Sequence, residues 1–144
     1  MKIALGLLFM LAVNFCIAQT PQGTITSSPD SAVIVYKDIA NFWKAFDRIG
    51  EEGNGVFEKY YINPGSNGVK HFLDHNRIVN ADTLYNTVQR QRNDYLRIRE
   101  QTLRAEEAVP QCRSTYYAFK YLYPQAKFPP LYFVIGRFNT GGVS

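Results

Sequence analysis

Cysteine is scarce in this chain, which has Cys16 and Cys112 and no other cysteine among its 144 residues. The sequence also lacks a P-loop, a dinucleotide-binding glycine motif, a serine-nucleophile elbow and an HExxH zinc motif. It contains no internal repeat and no low-complexity tract. These absences exclude the common signatures of nucleotide binding and of serine or zinc hydrolysis from the residues given, and they exclude a solenoid architecture.

An excess of charge is also missing. The chain has 16 Lys and Arg against 12 Asp and Glu, and one of those bases is Lys2 in the apolar leader. The remaining excess is three positive charges, far from the dense basic stripe that nucleic-acid binding requires. We therefore expect no nucleic acid among the partners.

The one long apolar stretch lies at the amino terminus. Residues 1–18 combine Lys2, an apolar core and a small residue at Ala18, which together predict a cleaved secretory signal peptide. Because the apolar core is shorter than the about 20 residues of a membrane span, we expect export without a stable membrane anchor, to the periplasm or beyond. A lipid on Cys16 is the alternative, but Asn14 and Phe15 precede it where a lipoprotein signal has small residues.

Residues 19–31 are polar and rich in Thr, Ser, Gly and Pro, which predicts a flexible leader. Residues 32–144 are then expected to belong to one domain, of which they form the amino-terminal part. Without the leader only Cys112 remains, so no internal disulfide stabilises it, and we expect this thiol to be buried. A core must come from the 46% hydrophobic residues, which include ten Tyr and ten Phe.

The hydrophobic pattern predicts helices between two strands. Residues 32–36 and residues 131–135 are rich in β-branched and aromatic side chains, and glycines follow the second run. The intervening sequence has helical spacing, so we expect an α+β fold in which a helix-rich portion leads into the first strands of a sheet.

Several residues are expected to set the helix boundaries and faces. Asp38, Ser66 and Asp82 are predicted N-caps, the last of a helix that runs to about Leu103. Pro110 suits the first turn of another helix. Positions at helical spacing predict two buried faces, Ile39, Phe42, Trp43 and Phe46 in one and Cys112, Tyr116, Phe119 and Tyr123 in the other.

His71 and His75 are the two histidines, and their i, i+4 spacing places both on one side of a helix, as in a helical zinc site. Phe72 occupies the position where a zinc peptidase has its catalytic glutamate, and no third ligand is evident. We therefore expect two surface histidines rather than a metal site. The alternative, zinc binding, remains open.

Two further groups have a functional and a structural interpretation. The basic segment of Arg90, Arg92, Arg97, Arg99 and Arg104 is more consistent with a solvated helix face with ion pairs, such as Glu100 with Arg104, than with phosphate binding. The tyrosines at 60, 61, 116, 117, 121 and 123 are expected to fill the core rather than stack on sugars or peptides.

Three segments resemble one known family. They are DIANFWKAF at residues 38–46, YYINPGSNGVKHF at residues 60–72 and KFPPLYFVIGRFNTGG at residues 127–142. The family comprises exported bacterial proteins of unknown function that are described as predicted zinc-dependent proteases and are gluzincin-like. The resemblance spans most of residues 32–144.

The resemblance implies a helical lead-in and first strands beside an active site, in a gluzincin-like domain that is incomplete here. The zinc ligands and the catalytic glutamate of the family come later in the sequence, so no catalytic or metal-binding residue is assigned to this chain. Zinc is expected only if an HExxH region follows. A loop of Gly136, Arg137, Asn139, Gly141 and Gly142 would border the substrate cleft.

The function implied is that of an amino-terminal fragment of an exported zinc-dependent peptidase, inactive by itself, whose full-length form takes a peptide or protein substrate. The alternative is a small exported binding or interaction module that performs no catalysis. The sequence by itself does not decide whether the protein is an enzyme.

Overall fold

The computed structural model describes residues 23–139, which form an α+β fold that is mostly helical. The predicted signal peptide, together with Gly141 and Gly142, lies outside the described residues. The elements in chain order are β1 (Ile34–Val35), α1 (Lys37–Asp47), α2 (Ile49–Glu52), a 3₁₀ turn (Gly53–Gly55), a π-helix (Glu58–Ile62), α3 (Asn67–Asp74), α4 (Ala81–Arg90), α5 (Arg92–Leu103), a second 3₁₀ turn (Ala105–Ala108), α6 (Val109–Leu122) and β2 (Leu131–Tyr132).

The sheet joins the beginning of the domain to its end. β1 and β2 pair in parallel, with Ile34 opposite Leu131 and Val35 opposite Tyr132. Both strands are shorter than the predicted residues 32–36 and 131–135. β1 ends where the chain turns into α1 at Lys37, and beyond that point β2 has no strand to pair with among the described residues. All the helices lie within the connection between the two strands, as parallel pairing requires.

Aromatic side chains of α1 form the centre of the core. Phe42 is fully buried, and its ring lies 5.2 to 5.5 Å from the rings of four neighbours, Trp43, Phe57, Tyr61 and Tyr95. Each such ring removes about 150–250 Å² from water, so this cluster supplies much of the stability. The prediction that Ile39, Phe42, Trp43 and Phe46 form a core face is confirmed.

Two of the three predicted N-caps are wrong. Ser66 caps α3 as predicted, since its hydroxyl accepts the N–H of Gly68 at 3.1 Å. Asp38 lies inside α1 rather than before it, and its buried carboxylate binds Ser66 instead. The cap of α4 is Asn80, which accepts the N–H of Thr83 at 2.8 Å, and Asp82 lies within the first turn.

The predicted single helix that ends near Leu103 is two helices. The break falls at Gln91, which ends α4 and precedes α5. Beyond this break the sparse apolar stripe is only partly buried: Tyr95 is buried, whereas Leu96 and Leu103 are 42% and 50% exposed.

Helix α6 contains no buried residue, so the prediction of a buried face there is wrong. Phe119 is 53% exposed and Tyr123 63%, and the thiol of Cys112 is half-buried rather than buried. The apolar spacing of α6 is real, but among the described residues no element packs over its carboxyl-terminal half, where Tyr121 is 87% exposed.

Residues 23–31, the described part of the predicted leader, make contacts with the domain. Thr26 forms an antiparallel bridge with Phe128. The guanidinium of Arg113 donates to the carbonyl oxygens of Pro29, Asp30 and Ala32, the second at 2.8 Å. These bonds attach the start of the described chain to α6.

Candidate functional site

The buried carboxylate of Asp38 fixes the start of α3. It accepts the backbone N–H of Ser66 at 3.0 Å and also the Ser66 hydroxyl. Burying a carboxylate is costly unless hydrogen bonds compensate, so this pair specifies how α3 sits on α1. The position of α3 determines what lies against β2.

Close contact between α3 and β2 depends on Gly68. A Cβ atom at this position would lie 2.4 Å from Cβ of Tyr132, which is far too close for two non-bonded carbon atoms. Only glycine lets the Tyr132 side chain pack directly on the helix backbone. The ring of Tyr132 is therefore held at a defined place beside α3.

Two tyrosines hold the chain after β2 in an extended path. The Tyr61 hydroxyl donates to the carbonyl oxygen of Ile135 at 2.7 Å and accepts the N–H of the same residue at 3.0 Å. The Tyr95 hydroxyl donates to the carbonyl oxygen of Gly136 at 2.8 Å. Tyr61 thus replaces the backbone of a neighbouring strand, and it does so from a π-helix, an element that is frequent at functional sites.

Burial raises the pKa of both hydroxyls well above its ordinary value. Both tyrosines therefore stay protonated over the whole physiological pH range. A protonated hydroxyl is what the geometry requires, since Tyr61 and Tyr95 each donate to a backbone carbonyl.

The predicted cleft-bordering loop is attached to the turn between α3 and α4. Arg137 donates from Nε to the carbonyl oxygen of Arg77 at 3.1 Å and from a terminal nitrogen to that of Asn76 at 3.0 Å. Because these bonds occupy its guanidinium, Arg137 acts as a support of the loop. Gly136 packs beside the Phe72 ring, and Asn139 is exposed.

Unusual backbone conformations concentrate in the same two segments. Asn76, Val79 and Phe138 all have positive φ, of 55°, 73° and 56°. The value at Val79 is the most unusual, because a β-branched side chain is strained in this region. Such strain persists only where the surroundings impose it, and it is often found at functional sites.

The outer edge of β2, defined as the N–H groups of Tyr132 and Val134, is open. The N–H groups of Leu131 and Phe133 point towards β1 and donate to the carbonyl oxygens of Val33 and Val35 at 2.9 and 2.8 Å. Since successive N–H groups of a strand alternate in direction, those of Tyr132 and Val134 point the other way. They have no acceptor among residues 23–139.

Two cavities flank this edge. The α3 cavity, of about 450 Å³, lies between α3 and β2 and is lined by Asn67, Gly68, His71, Phe72, Pro129, Pro130, Tyr132 and Val134. The α5 cavity, of about 800 Å³, lies between residues 133–138 and the α5–α6 region, and its charged lining residues are Arg97, Glu100, Arg104 and Glu107. The open strand edge thus lies beside these two cavities.

The two histidines form no complete metal site. Their rings lie 4.0 Å apart, and Nδ1 of His75 donates to the carbonyl oxygen of His71 at 2.9 Å. In the range that the structure covers, no group of three or more His, Cys, Asp or Glu side chains converges on a point where a metal ion would bind. The predicted lack of zinc binding at this pair stays a prediction.

Three of the five arginines of the basic segment, Arg97, Arg99 and Arg104, are paired with acids, although Arg104 does not bind the predicted partner. Arg104 binds Glu107 at 2.6 Å rather than Glu100, and Arg97 binds Asp94 at 3.0 Å. The remaining contacts are internal: Arg99 forms a two-pronged bond with Asp47 and lies over the Trp43 ring, and Arg92 lies over the Phe46 ring. This pairing agrees with a solvated helix face.

The predicted role of the tyrosines as core residues holds fully for Tyr61, holds in part for Tyr60, which packs half-buried against the core, and fails for three others. Tyr61 is fully buried and Tyr116 lies against Phe128, whereas Tyr117, Tyr121 and Tyr123 are exposed. Sequence reasoning missed Tyr95 as a support of the loop and Asp38 as a partner of Ser66. Neither contact has a local signal, since each joins residues far apart in the sequence.

Comparison with protein-family models, curated proteins and solved structures finds no match to this chain. Among the described helices, none is both long enough and apolar enough to cross a membrane.

Proposed function

We propose that this chain is the helical, non-catalytic part of an exported zinc-dependent peptidase, inactive by itself, and that a further strand pairs with the outer edge of β2. In this account the helices hold the edge in place, while zinc and the catalytic glutamate come from a separate HExxH region. The chemistry would be hydrolysis of a peptide bond by a zinc-activated water.

The observation that carries the proposal is that the three segments of the family resemblance contact one another. Asp38 of the first segment binds Ser66 of the second, and Tyr61 of the second binds Ile135 of the third. Segments that are far apart in sequence thus form one packed unit. A resemblance confined to such a unit supports common ancestry more strongly than three isolated similarities would.

The unpaired backbone groups on the outer edge of β2 also support the proposal. Two parallel strands of two residues each make a marginal sheet, and unpaired backbone groups on an edge favour the addition of another strand. The α3 and α5 cavities provide space for side chains on both sides of such a strand.

The test is to read the coding sequence that follows Ser144. We expect it to encode a further strand and then a helix with HExxH, whose two histidines and glutamate supply the ligands and the base. A stop codon directly after Ser144, together with a cooperative unfolding transition of monomeric residues 19–144, would contradict the proposal.

One observation favours a second candidate, an exported interaction module without catalysis. Phe119 and Leu122 are exposed at the carboxyl-terminal end of α6, and the exposed Tyr123 ring, just after the helix, lies 6.2 Å from that of Phe119. An apolar patch of this kind is typical of a surface that contacts another molecule. If the stop codon is found, this second candidate becomes the better account.

A further inference from the structure

We propose that Asn54 is a site of spontaneous covalent modification, at which the side-chain amide is converted through a cyclic imide into aspartate and isoaspartate. The co-reactant is water, so the reaction needs no metal, cofactor or second protein. The site lies in the 3₁₀ turn Gly53–Gly55, and the inference is independent of the proposed function.

The sequence contains two Asn–Gly pairs, Asn54–Gly55 and Asn67–Gly68, and this pair favours the reaction. The backbone nitrogen of the glycine attacks Cγ of the asparagine, and the side-chain nitrogen leaves as ammonia with the proton of the attacking N–H. Glycine leaves its nitrogen accessible because it has no Cβ. Water then adds to one of the two imide carbonyl carbons and breaks the bond from that carbon to the ring nitrogen, which takes up a proton. Opening at Cγ gives aspartate, and opening at the backbone carbon gives isoaspartate.

Asn54 has the freedom that the attack requires. Its side chain is exposed, and the turn that contains it is only three residues long. A 3₁₀ turn has poorer hydrogen-bond geometry than an α-helix, so it opens more easily. Apart from its chain neighbours, a Cβ atom built on Gly53 or on Gly55 would meet no heavy atom within 4 Å. Both flanking residues can therefore rotate without a clash and bring the Gly55 nitrogen onto Cγ of Asn54.

The same pair is protected at Asn67–Gly68. The N–H of Gly68 donates to Oγ of Ser66, the cap of α3, at 3.1 Å. Gly68 is also buried against Tyr132, since a Cβ atom there would lie 2.4 Å from Cβ of this tyrosine. The attacking nitrogen is thus occupied and covered, and the first turn of α3 must open before it can react. Loss of an N-cap hydrogen bond shifts an equilibrium by about tenfold, so we expect the reaction at Asn67 to be slower by about this factor or more.

Modification of Asn54 reverses its interaction with Asp82. In the unmodified chain Nδ2 of Asn54 donates to Oδ1 of Asp82 at 3.2 Å. A carboxylate oxygen replaces this donor in the product, so two negative charges face each other and repel. In isoaspartate the main chain also passes through Cβ and gains one carbon atom shortly before Val56 and Phe57, which are fully buried. We therefore expect the contact between the turn and α4 to loosen.

The experiment follows both pairs in the full chain during incubation in heavy-oxygen water at mildly alkaline pH, where the attacking nitrogen loses its proton more readily. Each water molecule that opens an imide leaves a heavy oxygen in the product, so mass spectrometry of the digested protein measures the reaction at each asparagine. We expect the Asn54 peptide to take up label about tenfold or more faster than the Asn67 peptide. In guanidinium chloride, where the fold protects neither pair, the two rates should become similar.

Gly55→Ala is the matched variant, since it adds a Cβ atom beside the attacking nitrogen and has open space for that atom. It should suppress labelling of Asn54 without lowering the melting temperature of the fresh protein. After incubation the unsubstituted chain should melt at a lower temperature than before, whereas Gly55→Ala incubated alongside should be unchanged.

Two results at the level of the chemistry would overturn the inference. They are the absence of label at Asn54 in the folded chain, and uptake of label at Asn67 as fast as at Asn54. A melting temperature that stays the same once Asn54 is modified would overturn the loosening of the turn from α4.

Discussion

Substitution of Tyr61 by Phe tests how the extended chain after β2 is held. The change keeps the ring, which packs against Phe42 in the core, and removes only the hydroxyl. That hydroxyl makes two hydrogen bonds to Ile135, which is itself buried. Tyr61→Phe therefore leaves one buried N–H and one buried carbonyl without a partner.

The expected loss of stability follows from these two groups. An unsatisfied buried donor or acceptor costs about 1–3 kcal/mol, so with two such groups we expect Tyr61→Phe to lower the free energy of unfolding by about 2–6 kcal/mol. Urea unfolding measures this loss, and an unchanged dependence on urea concentration would show that the folded state is still compact. Amide hydrogen exchange at Ile135 should also become faster.

Tyr60→Phe is the matched control, since it removes the hydroxyl of the adjacent tyrosine. Tyr60 donates to Oε1 of Glu52 at 2.7 Å in an exposed cluster, so its loss should change stability by no more than about 0.5 kcal/mol. If Tyr61→Phe costs no more than Tyr60→Phe, the claim that a side chain replaces a strand beside Ile135 is wrong.

Three further predictions concern charge, metal and processing. Hydrogen bonds from Lys59, the larger cause, and from Tyr60 lower the pKa of the Glu52 carboxyl from 4.5 to about 2. The stabilising contribution of this carboxylate is therefore present above pH 4.5 and is lost as the pH falls towards 2. An NMR titration midpoint near 4.5 for this carboxyl would contradict the cluster. Calorimetry should detect no tight zinc binding by residues 19–144, and a micromolar one-to-one complex that is lost in His71→Ala would refute the expectation that His71 and His75 are surface residues without a metal. Mass spectrometry of the exported protein should find an amino terminus at or near Gln19. A lipid attached to Cys16 would overturn the predicted export without an anchor.

The sequence predicted correctly those features that depend on contacts between residues close together in the chain. Ser66 was recognisable as a cap because the N–H that it accepts belongs to a residue two positions away. The α1 core face was recognisable because helical spacing repeats within one turn. Asp38 misled the same reasoning, since a carboxylate before a helix suggests a cap while its partner lies 28 residues away in sequence.

Periodicity also failed at the carboxyl-terminal half of α6, which no described element covers. The spacing of Cys112, Tyr116, Phe119 and Tyr123 identifies one side of α6 correctly, but it carries no information about which element packs there. For the same reason the sequence located residues 136–142 as a loop of interest without indicating that Tyr95 and Arg137 hold its described part. Contacts between distant residues had to be seen in three dimensions.

The most direct test of the central claim uses the exported protein isolated intact from its native cells. Intact mass and zinc content are measured on the same sample. The account predicts a mass greater than that of residues 19–144 and one zinc ion per chain. Treatment with a chelator should remove the zinc and abolish peptide hydrolysis. A mass equal to that of residues 19–144, without zinc and without hydrolysis, would contradict it.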